Sequence, residues 1–140
     1  MNDFAPIFEK CIEDFKRRVP TMLTGFISAE MSLEKAPQKR GKLKKSTLKN
    51  LRVDTGNLVR SFTKGQAGNI TRDSARNVEI GTSVVYAAIH EFGGVINTRY
   101  ATITMPARPY LAPAIAKFEE QALPALIEQV LQPLKDFKFE

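Results

Sequence analysis

Residues 77–94 read NVEIGTSVVYAAIHEFGG, and the fold class turns on how their period changes. Over Asn77-Val78-Glu79-Ile80-Gly81 the side chains alternate in polarity, the two-residue rhythm of a half-buried strand. Tyr86-Ala87-Ala88-Ile89-His90-Glu91-Phe92 lacks that rhythm and is helix-compatible. Gly93-Gly94 ends it, because glycine takes the left-handed cap conformation at little steric cost. Gly81 before Thr82-Ser83 suits a strand end turning into a helix start. Alternation returns over Ala101-Thr102-Ile103-Thr104-Met105, so a small antiparallel sheet with a short helix is expected between Phe62 and Met105. Thr63 to Gln66 is a candidate further strand, and Gly68-Asn69 with Thr71 to Ser74 reads as a loose polar connection.

Outward on both sides the period becomes helical. Phe4, Ile7, Phe8, Cys11, Ile12, Phe15, Val19, Met22, Leu23, Phe26 and Ile27 recur at three- and four-residue steps, one face of a long amphipathic helix. Glu9, Lys10, Glu13, Lys16 and Arg17 take the other face. The stripe keeps its phase across Pro20, which favours a kink over a restart. A second stripe, Leu111, Ile115, Phe118, Ala122, Leu126, Val130 and Leu134, is interrupted by Pro124 and Pro133. Two or three helical pieces are expected there, with Pro133 and the last residues fraying. A short helix begins near Asp54-Thr55-Gly56, with Asp54 or Thr55 as cap and Leu58, Val59 and Phe62 as its apolar side. The elements give an α+β fold, with a long N-terminal helix and a C-terminal helix flanking a small antiparallel sheet.

The chain has 140 residues, about one domain's worth, and is read as a single domain over 1–140. No apolar run of about 18 residues exists and the first residues are acidic, so neither a membrane span nor a secretory signal is expected. Its one cysteine, Cys11, lies on the apolar stripe and reads as a buried small hydrophobe. The net charge of +6 is local. Lys35 to Arg52 carries eight basic residues and no acidic one, leaving thirteen basic against fifteen acidic elsewhere. Residues 33–54 are expected to form a flexible basic loop. Lys39, Arg40, Lys42, Lys44, Lys45, Lys49 and Arg52 within it could neutralise phosphates. The loop has no interleaved aromatics for base stacking, so a solvated arm or one docked on an acidic protein is favoured.

No catalytic constellation emerges. His90 is the single histidine, and its neighbour Glu91 points about 100° away on a helix, so a packed residue is favoured over a general base. One His, one Cys and scattered carboxylates give no metal-ligand spacing, and the glycines form no phosphate-cradling loop. No metal, no cofactor and no enzymatic activity are expected. Tyr86 and Phe92 read as core, because a helix carrying Ala87, Ala88 and Ile89 must bury something. Arg108, stiffened by Pro106 and Pro109, reads equally as a guanidinium offered to a partner's carboxylate or as an intrachain anchor of the last helix.

Four blocks form an ordered set: Asp54-Thr55-Gly56-Asn57-Leu58-Val59-Arg60-Ser61-Phe62, Val78-Glu79-Ile80-Gly81-Thr82, Tyr86 to Gly94 with its Tyr-Ala-x-x-His-x-Phe-Gly pattern, and Pro106-Ala107-Arg108-Pro109-Tyr110-Leu111. Together they resemble the phage virion-morphogenesis, neck and tail-completion family. Thr55, Gly56, Leu58, Gly81, Tyr86, Ala87, Phe92, Gly93, Pro106 and Pro109 carry the match. Tyr110 stands where the family often has phenylalanine, and Val95 to Thr104 reads as an insertion. The resemblance implies a structural virion subunit in a homo-oligomeric ring of six or twelve copies at the head-tail junction. Its implied partners are itself, tail terminator or tube proteins, and head-closure or connector proteins. Non-specific contact with DNA in the ring lumen is compatible with it, and a membrane partner is not. It implies assembly in the host cytoplasm and residence in the virion. The alternative is a small nucleic-acid-binding accessory protein using the basic residues 35–52.

Overall fold

The apolar stripe that begins at Phe4 folds as one helix, α1 (Phe4–Met31), in a computed structural model that describes residues 3–31, 56–75 and 77–138. Pro20 lies inside it, so the helix does not restart there. Thr24 places its hydroxyl 2.8 Å from the Pro20 carbonyl and 2.9 Å from the carbonyl of Phe62. One hydroxyl proton therefore serves both the helix and the turn that crosses it. The expected basic loop, with Lys39, Arg40, Lys42, Lys44, Lys45, Lys49 and Arg52, lies outside the described residues, as does Thr55.

The second stripe forms α4 (Leu111–Gln121) and α5 (Leu123–Lys135), broken at Ala122. Pro124, in the first turn of α5, has no N–H to continue the ladder from α4. Pro133 does not fray the end, since α5 runs through it to Lys135. Both helices run antiparallel to α1. Lys117 is ion-paired with the buried Glu30 near one end, Arg18 donates to Gln129 at 3.0 Å further along, and the rings of Phe4 and Phe137 meet edge to face at 5.8 Å at the other end. Leu126, Val130, Phe118 and the buried thiol of Cys11 form the core between them.

A second cluster sits at the C-terminal end of α1, where Ile27 and Met31 meet Leu58, Phe62, Ala87, Tyr110 and Ala114. Leu58 lies on α2 (Asn57–Arg60), a single turn whose N-cap is Gly56 at φ 78°. Asn69–Asp73 and Val78–Thr82 pair as antiparallel strands β1 and β2, with Arg72 opposite Glu79. Lys16 of α1 reaches Asp73 at 2.8 Å. α3 (Ala87–Phe92) follows, and Gly94–Asn97 and Thr102–Met105 form a second antiparallel pair, β3 and β4. The class is α+β, with two small antiparallel sheets. Three local expectations change. Thr63 to Gln66 is a run of turns, the polar stretch Thr71 to Asp73 belongs to β1, and the insertion Val95 to Thr104 is the β3–β4 hairpin.

Leu126 is 1 % exposed between α1 and α5. Truncating a fully buried leucine removes its transfer free energy and leaves a cavity. Leu126→Ala is expected to lower unfolding free energy by about 3 kcal/mol, read from the urea midpoint at unchanged slope.

Candidate functional site

The segment Pro109-Tyr110-Leu111-Ala112-Pro113 starts α4 with no Ser, Thr, Asp or Asn to cap it. A helix start leaves its first N–H groups without intrahelical partners, and burial makes that costly. Glu91 of α3 supplies the acceptors. Its Oε2 accepts from the N–H of Tyr110 at 2.8 Å and of Leu111 at 2.9 Å, and its Oε1 accepts from Ala112 at 3.0 Å. The next residue, Pro113, has no N–H, and Ala114 already donates to the Tyr110 carbonyl at 3.3 Å. The whole first turn is satisfied by one carboxylate some twenty positions upstream, which also meets the positive end of the helix dipole.

The chain is fastened around this cap from both sides. Arg108 donates its backbone N–H to the His90 carbonyl at 2.8 Å, and the Tyr110 hydroxyl lies 3.5 Å from the Ala87 carbonyl. Gly93 ends α3 at φ 70°, and a Cβ there would stand 2.7 Å from the Ala107 nitrogen and 2.9 Å from the Met105 oxygen. The backbone approaches so closely that glycine is required twice over, by conformation and by space. Phe62 packs edge to face on Tyr110 with ring centroids 6.0 Å apart. Behind it the fully buried Ser61 hydroxyl donates to the Leu58 carbonyl at 2.7 Å and shares a hydrogen bond with the Thr82 hydroxyl at 2.6 Å, and Asn69 donates to the Ser61 carbonyl at 3.0 Å.

The electrostatics follow from burial. The Tyr110 phenol is pushed up to about 12, first by desolvation and then by the Glu91 carboxylate. His90 is held below its ordinary value, first by burial and then by the nearby Arg108 cation. Its ring stands edge-on to Tyr86 at 5.7 Å. Among the described residues no three His, Cys, Asp or Glu side chains are grouped to hold a metal ion, and no helix is long and apolar enough to cross a membrane.

The structure brings most of the resemblance residues into one knot. Gly56 and Leu58 open α2, Gly81 lies in β2 opposite Ile70, and Ala87 and Gly93 bracket α3. Pro106 and Pro109 flank Arg108, which is buried. Tyr86 and Phe92 correct the reading that placed them in the core: Phe92 is 80 % exposed and Tyr86 is 39 % exposed. The buried side of this six-residue helix is Ala87 and Glu91, one turn apart, which turns Phe92 outward. Val85 and Tyr100 are exposed at 93 % and 90 %, and Val95, Ile96 and Ile103 join them as exposed apolar side chains. Glu91, Ser61 and Thr82 were not singled out from sequence. The signal for Glu91 was the absence of any capping residue at the start of a buried helix.

A family model described as phage virion morphogenesis family matches residues 28–132, three quarters of the chain and all four motif blocks. No curated protein and no solved structure matches.

Charge-assisted hydrogen bonds contribute about 1.5–3 kcal/mol each, and stranded N–H groups lose their solvation as well. Glu91→Ala is expected to cost at least about 3 kcal/mol in urea unfolding. Glu91→Gln is expected to recover only part, because its NH2 faces another donor. For His90 the folded value lies below the unfolded one, so the unfolded chain takes up the proton first as pH falls. Its contribution is complete above about pH 6.5 and is lost as pH drops through the folded value. His90→Gln should flatten the decline in urea midpoint as pH falls below about 6.5.

Proposed function

This chain belongs to the phage virion morphogenesis family, and on that premise we propose that it is a structural subunit of a ring at the head-tail junction, where it joins or finishes the head-proximal end of the tail. The observation that carries this reading is the division of its surface chemistry. Buried polar groups of the motif blocks, Glu91 and Ser61 foremost, are used within the subunit to fix the chain. Large apolar side chains beside that knot, Val85, Phe92 and Tyr100, face solvent in the isolated chain. Apolar groups concentrated on the outside of a domain mark contacts with other proteins. The partners of this reading are further copies of the chain, tail terminator or tube proteins, and head-closure or connector proteins. Its chemistry is assembly without catalysis.

The basic residues Lys35 to Arg52 favour a second reading, a nucleic-acid-binding accessory protein. The two differ in what they assemble with and how they respond to salt. By mass photometry and negative-stain imaging, the purified protein is expected to form rings, or to be captured as rings on isolated tail ends. A persistent monomer that ignores tails and binds DNA with steep salt dependence would reject the ring and leave the second reading.

A further inference from the structure

We propose that the β3–β4 hairpin of one copy seats in the apolar groove between α1 and α5 of the next copy, forming the head-to-tail contact of the ring; this rests on the ring reading above. The hairpin is unusual for an exposed edge. Natural sheet edges are guarded by charged side chains, prolines or bulges, because unpaired N–H and C=O groups invite association. Neither β3 nor β4 contains a charged residue or a proline, and every residue of the pair except Met105 is exposed. Ile96 lies directly opposite Ile103, which puts the two side chains on the same face, and Val95 stands opposite Thr104 on the other. Tyr100 sits in the connection, 90 % exposed.

The complementary surface is a groove of about 530 Å³ lined by Phe8, Ile12 and Phe15 of α1, by Ile127 and Leu131 of α5 and, along one side, by Ala75 and by Val78 of β2, with Cys11 at its base. Charge at its rim is consistent with the hairpin. Arg99 is the one charged residue between Phe92 and Ala107, and Glu9 is exposed beside Phe8 on α1. Lys16, which also lines the groove, is paired with Asp73 at 2.8 Å, and Lys10, Glu13 and Arg17 lie toward the far side of the helix at about 100° per residue.

Position excludes the subunit's own hairpin, so the hairpin that fills the groove is a second copy's. The hairpin springs from Gly94 and Met105, beside the start of α4, and α4 starts against the Ile27–Met31 end of α1. The groove opens around Ile12, roughly 22 Å away along α1 at about 1.5 Å per residue. No hairpin residue contributes to its lining. Two unlike patches toward opposite ends of one subunit generate a heterologous contact, which repeats head to tail and gives a ring when the rotation between successive copies closes. A two-fold dimer would instead use one self-complementary patch.

The test uses the full chain with Ile103→Glu on the hairpin and Ile127→Glu in the groove, both at exposed positions, with Ile96→Lys as a second hairpin variant. Circular dichroism and urea unfolding establish that each folds. By native mass spectrometry and sedimentation velocity the unaltered chain is expected to form rings, and each variant alone to lose every species above the monomer. An equimolar mixture of Ile103→Glu and Ile127→Glu is expected to give a one-to-one dimer and nothing larger, because one intact hairpin and one intact groove remain. Variants that still form rings, or a mixture that restores rings or yields no dimer, overturn the hairpin-groove contact while leaving the ring itself standing. An unaltered chain that stays monomeric in solution and on tail ends overturns both.

Discussion

The contact on which the rest of the structure depends is the Glu91 carboxylate across the first turn of α4. Without it, Tyr110, Leu111 and Ala112 would present three N–H groups, the first buried and the other two part-buried, with no acceptor of their own. Because the acceptor sits on α3, the start of α4 is fixed by the position of α3. That start in turn fixes the antiparallel path of α4 and α5 along α1, and so the alignment of both core clusters. The surface ion pairs Lys16–Asp73 and Arg72–Glu79 rank far below it, since exposed pairs contribute about 0–1 kcal/mol.

Around that contact the four motif blocks become one mechanical unit. Gly93 lets the chain leave α3 close enough for the backbone of Met105 and Ala107 to pass beside it. Arg108 returns a hydrogen bond to the His90 carbonyl, and Tyr110 is held between Phe62 and Ala87. In the same geometry the carboxylate adjacent to His90 is committed to three amides, and the His90 ring stands edge-on to Tyr86.

The two long helical stripes were legible because many turns reinforce one phase, and the strands at Val78 to Gly81 and Thr102 to Met105 because alternation survives where one side is at least partly covered. β1 was not, since Thr71, Arg72 and Asp73 are polar on a largely exposed strand and the backbone ladder to β2 sets their conformation. α3 was located correctly but its faces were misassigned. Six residues complete fewer than two turns, and a buried glutamate outranked two aromatics for the inside position. A cap supplied from about twenty residues away shows in the sequence only as a missing capping residue at the start of α4, and nothing in α3 itself says which side chain replaces it.

The exposed hairpin sets a constraint on any assembly the subunit enters. An uncharged two-stranded edge with Ile96 and Ile103 on one face is stable in water only while it is rare or covered. A closed ring covers every copy of such an edge at once, whereas an open chain always leaves one uncovered and free to grow. On the proposed reading, closure does more than strengthen modest contacts: it is what keeps a sticky edge from producing filaments. On that same reading the knot beneath the hairpin would contribute to closure, because the root of the arm is where Gly93, Ala107 and the capped start of α4 leave the backbone little freedom, and the angle between successive subunits would be set there.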